Sequence, residues 1–556
     1  MFQKLLMVSL LLIFPVISMS QTVVTVTDSW IEAGQTKSMT ADNIYLLDGL
    51  VYVEDGAVLN IEAGTVIKGK EVPSTGDNTS ALIITRGGKI YATGSATQPI
   101  IFTAESDDIN NPTDLTYNDR GLWGGVILLG YAEINTTTGV GQIEGIVSTE
   151  PRGAYGGGHV SFNDDDNSGV MRYVSIRHGG SEIGAGNEIN GLTFGAVGRG
   201  TTIEHIEVLS NLDDGYEWFG GTVNCKYLVS AFCGDDGFDY DEGFRGKGQF
   251  WFTIMDESVG GGRCAEQDGG TDPEDGQPYA IPMLSNVTYI GAGVNSFPQG
   301  DGSELMIFRD NAGGKYYSSI FTDYNGANDG KGITVEDLAS GADSRARLEA
   351  GDLVLSNNIW WQFAAGNNLN QFAPQDFVQA HLTANNNQIV DPQLTSVSRT
   401  NNGLLDPRPN ASGPAASGAT VPNDPFFTQV SYYGAFDPNA RIWIAGWTGL
   451  STDNITGIVE HKNKLNVLPT EYVLSQNYPN PFNPTTRINY SVPASGQVKL
   501  TVYNALGQQV AILVNSVRSA GEYTVSWNAA NMASGIYFYR LETGSTILMK
   551  KMILMK

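Results

Sequence analysis

Apolar and polar positions alternate in short runs over residues 43–70, and each run stops at a turn residue: Leu50-Val51-Tyr52-Val53 before Glu54-Asp55-Gly56, Val58-Leu59-Asn60-Ile61 before Glu62-Ala63-Gly64, then Thr65-Val66-Ile67. Alternation of this length between Gly and Asp corners predicts short strands. The pattern returns at residues 81–94, 98–104, 121–128, 171–178, 286–290, 305–308, 316–321 and 353–360. Helical spacing is rare. Residues 334–348, with Val335, Leu338 and Leu348 apolar among charges, and residues 374–383 are the two stretches that predict surface helices.

Between residues 201 and 256 the pattern repeats in register. His205-Ile206-Glu207-Val208-Leu209-Ser210-Asn211-Leu212-Asp213-Asp214-Gly215-Tyr216-Glu217 is followed, 22 residues on, by Tyr227-Leu228-Val229-Ser230-Ala231-Phe232-Cys233-Gly234-Asp235-Asp236-Gly237-Phe238-Asp239. Carried forward once more, the offset sets Phe250-Trp251-Phe252 on Leu228-Val229-Ser230 and Met255 on Cys233. A period in the low twenties with Gly-punctuated corners predicts a solenoid whose coils stack on one another. Asp213 then stands over Asp235 and Asp214 over Asp236, about 4.8 Å apart along the stack. Like charges that close repel, so either solvent screens them or a cation lies between them. The alternation also turns about half of Tyr216, Trp218, Phe219, Phe238 and Tyr240 inward. Trp218 is expected in the core, and Tyr216 and Tyr240 stay open between the core and a sugar-stacking surface.

Charge changes the picture next. The chain carries a formal −27, and residues 471–556 hold seven basic and three acidic residues, so this segment is +4 and the rest −31. So acidic a body excludes nucleic acid and anionic membrane surfaces as partners. Lys4, the apolar run 5–17 and Ser18-Met19-Ser20 predict a secretory leader over residues 1–20, cleaved before Gln21. No other stretch is long enough to span a bilayer. Cys225, Cys233 and Cys264 allow one disulfide in an oxidising compartment, Cys233–Cys264 being one pairing and three buried thiols the other reading. No CxxC, HxxxH or HExxH spacing points to zinc.

The run GGKIYATGSATQPIIFTAE (residues 87–105) followed by WGGVIL (residues 123–128) resembles the opening coils of secreted right-handed parallel β-helix proteins. The resemblance implies an all-β, pectate-lyase-like solenoid over residues 21–450. Residues 401–424 read as a long loop, and 441–447 as a final apolar strand closing the open end. Residues 451–470 lose apolar periodicity and read as a linker. Then Asn477-Tyr478-Pro479-Asn480-Pro481-Phe482-Asn483-Pro484, Tyr503-Asn504-Ala505-Leu506-Gly507, Ser534-Gly535-Ile536-Tyr537 and the closing Lys550-Lys551 strand resemble, over residues 471–556, the C-terminal sorting domain of type IX secretion substrates. That likeness implies a small Ig-like β-sandwich recognised by an outer-membrane translocon, and a protein delivered through the periplasm to the cell surface or beyond.

For chemistry the sequence offers carboxylates. Asp213, Asp214, Glu217, Asp235, Asp236, Asp239 and Asp241, with Glu242 beside them, suit calcium, which takes roughly six to eight oxygen ligands; Asp is equally a corner residue. Both readings stay open. Borrowing from β-helix polysaccharide lyases would require a base near the acids, for which Arg245, Lys247 and Lys226 are the candidates, although no motif marks one. The expectation is a non-catalytic surface protein binding glycan or matrix, with a calcium-dependent polysaccharide lyase or hydrolase as the alternative.

Overall fold

The computed structural model describes residues 21–555 apart from 185–186, 257–261, 271–272, 297–301, 327–329, 340, 454, 457–471, 475–476, 478–479, 481, 494–495, 519–520, 531 and 545. The leader expected over residues 1–20 lies outside the described residues. The chain divides into two units, residues 1–459 and 460–556.

In the first unit the short alternating runs form three faces of a parallel β-helix. Face three is a nine-stranded sheet that runs from Leu50–Val53 through Val126–Leu129, Leu192–Gly195, Tyr216–Phe219, Phe238–Asp241 and Ala265–Asp268 to Glu304–Arg309 and Lys331–Val335. Faces one and two belong to one 19-stranded sheet folded along a corner. Three long strands, Gly169–Arg177, Thr202–Leu209 and Asn224–Ala231, cross that corner and serve both faces. The crossing residues Tyr173, His205, Tyr227 and Phe250 have φ of 51°, 57°, 58° and 60°. Side chains rarely adopt this left-handed backbone, and here stacking offsets the strain. The His205 ring lies 4.3 Å from both Tyr173 and Tyr227, and Tyr227 stacks on Phe250 at 4.9 Å. Further along, the same corner passes to Asn286, Ser318 and Asn357, short polar residues at φ 55°, 52° and 55°.

The repeat at 22 residues holds between the second and third of these coils, with Ile206 beside Leu228 and Glu217 beside Asp239. One coil later it slips. Val229 pairs with Phe252 and Ala231 with Ile254, so Phe250 stands on Tyr227 and Met255 follows Phe232's position rather than that of Cys233. The extra residue enters at the corner after Asp241, where Glu242 (φ 49°) and Gly243 (φ 81°) turn the chain. The three cysteines are buried and free.

The interior is aromatic. Tyr216, Trp218, Phe238 and Tyr240 are all buried, with Trp218 stacked on Trp251 at 4.9 Å and Tyr216 on Phe238 at 5.3 Å. The Tyr216 hydroxyl donates to the Ile206 and Val229 carbonyls at 2.9 and 3.0 Å. Neither Tyr216 nor Tyr240 forms an outer sugar platform. Gly248 faces the same interior, where a Cβ would strike the Trp251 ring and Leu284.

Of the two expected helices, 374–383 corresponds to Asp376–Ala384, whereas 334–348 is split between the end of the strand Lys331–Val335 and the helix Ser344–Ala350, capped by the Asp343 side chain. Val335 is apolar because it lies inside the β-helix, not on the face of an α-helix. Residues 441–447 are turns rather than a strand. They lie along the side of the helix, where Trp443 and Trp447 meet the His205 column edge-on at 6.2 and 6.1 Å. The start of the linker expected over residues 451–470 is packed instead, with Ser451, Ile455 and Thr456 buried.

The second unit contains a three-stranded and a four-stranded antiparallel sheet, sharing a core that includes Ile488, Tyr490, Leu500, Val502, Trp527, Tyr539 and Met552.

The aromatic corner makes a testable prediction. Burial, then the nearby Arg172, pushes the His205 imidazole down to about 4 from its ordinary 6.5. Between those values the unfolded chain binds the proton and the folded chain does not, so stability rises with pH across the window. It is complete above pH 6.5 and lost as pH falls towards 4, by up to about 3 kcal/mol at 1.36 kcal/mol per unit. His205→Tyr, which repeats its column neighbours, should flatten this part of an acid-unfolding profile; an unchanged profile would assign the loss to other groups.

Candidate cation-binding cavity on the third face

Residues 130–168, between Val126–Leu129 and Gly169–Arg177, leave the coil and fold back over face three. Gly141–Gln142 pairs antiparallel with Ala154–Tyr155, and Ile134, Ile143, Ile146 and Tyr155 pack with Ile127, Leu129 and Phe219 on the outer surface of the sheet. Beneath this roof is a cavity of about 270 Å³.

Strand alternation supplies its floor. Inward Tyr216 and Trp218 leave Glu217 pointing out, and the parallel register stacks Thr193, Glu217, Asp239 and Glu266 in one row. The turns that precede these strands supply the rim, where Asp213, Asp214 and Asp235 each offer a carboxylate oxygen within 4.8 Å of the others. Asn187, Asn190 and, from the roof, exposed Glu144 complete the polar lining.

Several carboxylates here have a structural task as well. Asp214 Oδ1 accepts the Asp236 amide at 2.8 Å, and Asp236 accepts the Arg263 amide in turn. This ladder of aspartates ties successive turns together, and it turns Asp236 away from the cavity, which it does not line. Asp241 lies one row along, and its Oδ1 accepts the Glu242 amide at 2.5 Å. Glu266 is neutralised by Arg263 at 3.1 Å and Arg309 at 2.9 Å, while Arg309 also holds Asp268 at 2.7 Å. None of the described lining residues is Lys or Arg.

Protonation reflects the crowding. Burial first, then the neighbouring acids, raises Asp214, Glu217 and Asp239 well above the ordinary carboxylate range. Glu242 is pushed up to about 8 by burial and Asp241. A bound cation would favour the ionised form of these groups, and their hard oxygen donors are of the kind calcium accepts.

The three candidate bases are engaged elsewhere. Arg245 pairs with Asp164 at 3.0 Å, Lys247 with Asp424 at 2.5 Å, and Lys226 donates to Thr428 at 3.1 Å over the Phe426 ring. Asn190, Glu144 and Glu266 escape a reading of the sequence. Glu266 lies beyond an insertion that breaks the period, Glu144 sits in a loop without pattern, and Asn190 is a corner residue like many others.

Against known proteins, residues 32–404 match the family described as a pectate-lyase-like β-helix domain. The chain belongs to that family. Residues 476–555 match the secretion system C-terminal sorting domain. Neither a curated protein nor a solved structure matches the chain. This β-helix protein is therefore a secreted one, carried by type IX secretion to the cell surface or the extracellular space.

Proposed function

We propose that the β-helix body is a non-catalytic, calcium-loaded binding protein of the cell surface or matrix, with Asp213, Asp214 and Asp235 holding the ion at the cavity rim. One observation carries this reading: carboxylates converge in a cavity whose described lining residues include no cationic side chain, while Arg245, Lys247 and Lys226 are each committed to partners of their own. A lyase would need one of them beside the acids. With Tyr216 and Tyr240 inside the coil, a glycan would be held through calcium and its own carboxylates rather than by ring stacking, so the ligand class is an acidic polysaccharide.

Calcium binding to the folded state alone stabilises it by about 2.7 kcal/mol at a hundred times the dissociation constant. Chelation of the wild type should lower Tm, and the Asp213→Asn/Asp235→Asn variant should show a smaller drop on chelation while keeping its turns, since Asn retains the corner chemistry. A wild-type Tm indifferent to chelator on metal-stripped protein would remove the calcium reading. Retention on an acidic but not a neutral polysaccharide, only with calcium, is the expected binding result. Appearance of unsaturated sugar products would replace the binding reading with the lyase.

A further inference from the structure

We propose that the cavity takes a second divalent cation at its floor, with Glu217, Asp239 and the side-chain oxygen of Asn190 as its protein ligands. This extends the calcium reading of the rim, and the two stand or fall on different residues.

Glu217 and Asp239 are register partners on neighbouring strands, so their side chains leave the same face of the sheet about one strand spacing apart. Asn190 sits beside them, 7 % exposed, and its Nδ2 donates to Glu217 Oε2. With Glu217 ionised, as a metal ligand must be, it only accepts, which places the amide nitrogen towards Glu217 and the amide oxygen away from it. That oxygen is buried and has no hydrogen-bond partner, and the same holds for Oδ1 of Asp239, which lines the same cavity. A buried oxygen of this kind costs free energy unless something electropositive meets it. Two such atoms and a carboxylate lining one cavity describe a site for a hard cation, since calcium accepts carboxylate and amide oxygens together.

Charge along the row points to the same place. Glu266, the next carboxylate of the row, is already met by Arg263 and Arg309. Among the described residues Glu217 and Asp239 form no ion pair with an arginine; Arg309 reaches Asp239 only at longer range, and Glu217 adds its repulsion there. The floor and the rim use different residues, although Asp213 acts on Glu217 and Asp239 on Asp214 through their charges. Asp213, Asp214 and Asp235 form their own group within 4.8 Å, on turns, whereas Glu217 and Asp239 are on the strands that follow. There is room for both ions: about 270 Å³ corresponds to the liquid volume of roughly nine waters.

Equilibrium dialysis of the metal-stripped full chain against calcium decides the matter. The ion count per chain should fall by one in Glu217→Gln/Asp239→Asn and, independently, by one in Asp213→Asn/Asp235→Asn. Asn190→Ala, which leaves every carboxylate in place, should weaken one of the two sites at least tenfold and leave the other unchanged; circular dichroism of each variant confirms its fold. An unchanged count in Glu217→Gln/Asp239→Asn, or an Asn190→Ala isotherm that overlays the wild type, overturns the floor site and leaves the rim intact. A wild type that binds no calcium overturns both.

Discussion

Removal of residues 471–556 should leave the β-helix body folded and abolish its appearance outside the cell. The sorting unit has a core of its own, built from Ile488, Tyr490, Leu500, Trp527 and Met552, and its antiparallel sheets share no strand with the parallel sheets of the body. The body's hydrophobic clusters end at Ile455 and include no residue of the sorting unit. A separate unit reached through a polar segment is removable without unfolding its neighbour. Fractionation of cells producing the truncated chain should find it soluble in the periplasm with the thermal transition of the intact body. Truncated protein at the surface in normal amounts would mean that residues 476–555, despite their match to a sorting domain, are not what the translocon reads.

The coil was legible from sequence because its chemistry is local. Each short strand announces itself by alternation, and each corner by Gly, Asn or Asp. The 22-residue offset aligned Glu217 with Asp239 correctly, because nothing is inserted between those two coils. It failed one coil later, since a corner absorbs an extra residue at Glu242 and Gly243 without disturbing the strands on either side. Alternation likewise gives parity without direction: it says that Tyr216 and Glu217 face opposite ways, while the stacking of Tyr216 on Phe238 decides which is inside. The cavity was half legible. Its acids lie in the repeat, but its roof and Glu144 come from residues 130–168, whose position depends on packing against Ile127 and Phe219 rather than on any periodic signal.

Least legible was Glu207. In sequence it is one polar position in an alternating strand, yet the folded chain buries it completely beneath residues 391–456, a strap laid along the body that mostly follows the family-matched region 32–404. Its carboxylate accepts from the Ser175 hydroxyl at 2.5 Å, from the Gly449 amide at 2.6 Å and from the Leu450 amide at 3.1 Å. The two amides open the helical turn Gly449–Thr452 and have no partner within that turn. Gly449 is required for the approach, since a Cβ there would strike Leu209 and come within 3.1 Å of Arg177 Nε. Glu207→Leu therefore removes the acceptor from three buried donors, and the expected destabilisation is about 3 to 5 kcal/mol, the range for deleting one partner of a buried hydrogen-bonded charge. Glu207→Gln should be only partly better, because its amide nitrogen presents a donor to donors. In a solenoid each coil is held by its neighbours, so the loss should appear first as local opening of the strap. Limited proteolysis should cut near residues 449–456 in Glu207→Leu at denaturant concentrations where the β-sheet circular dichroism signal is still native. A variant whose cleavage pattern and midpoint match the wild type within about 0.5 kcal/mol, as for an ordinary surface change, would show that Trp443 and Trp447 on the aromatic corner, and not Glu207, fasten the strap.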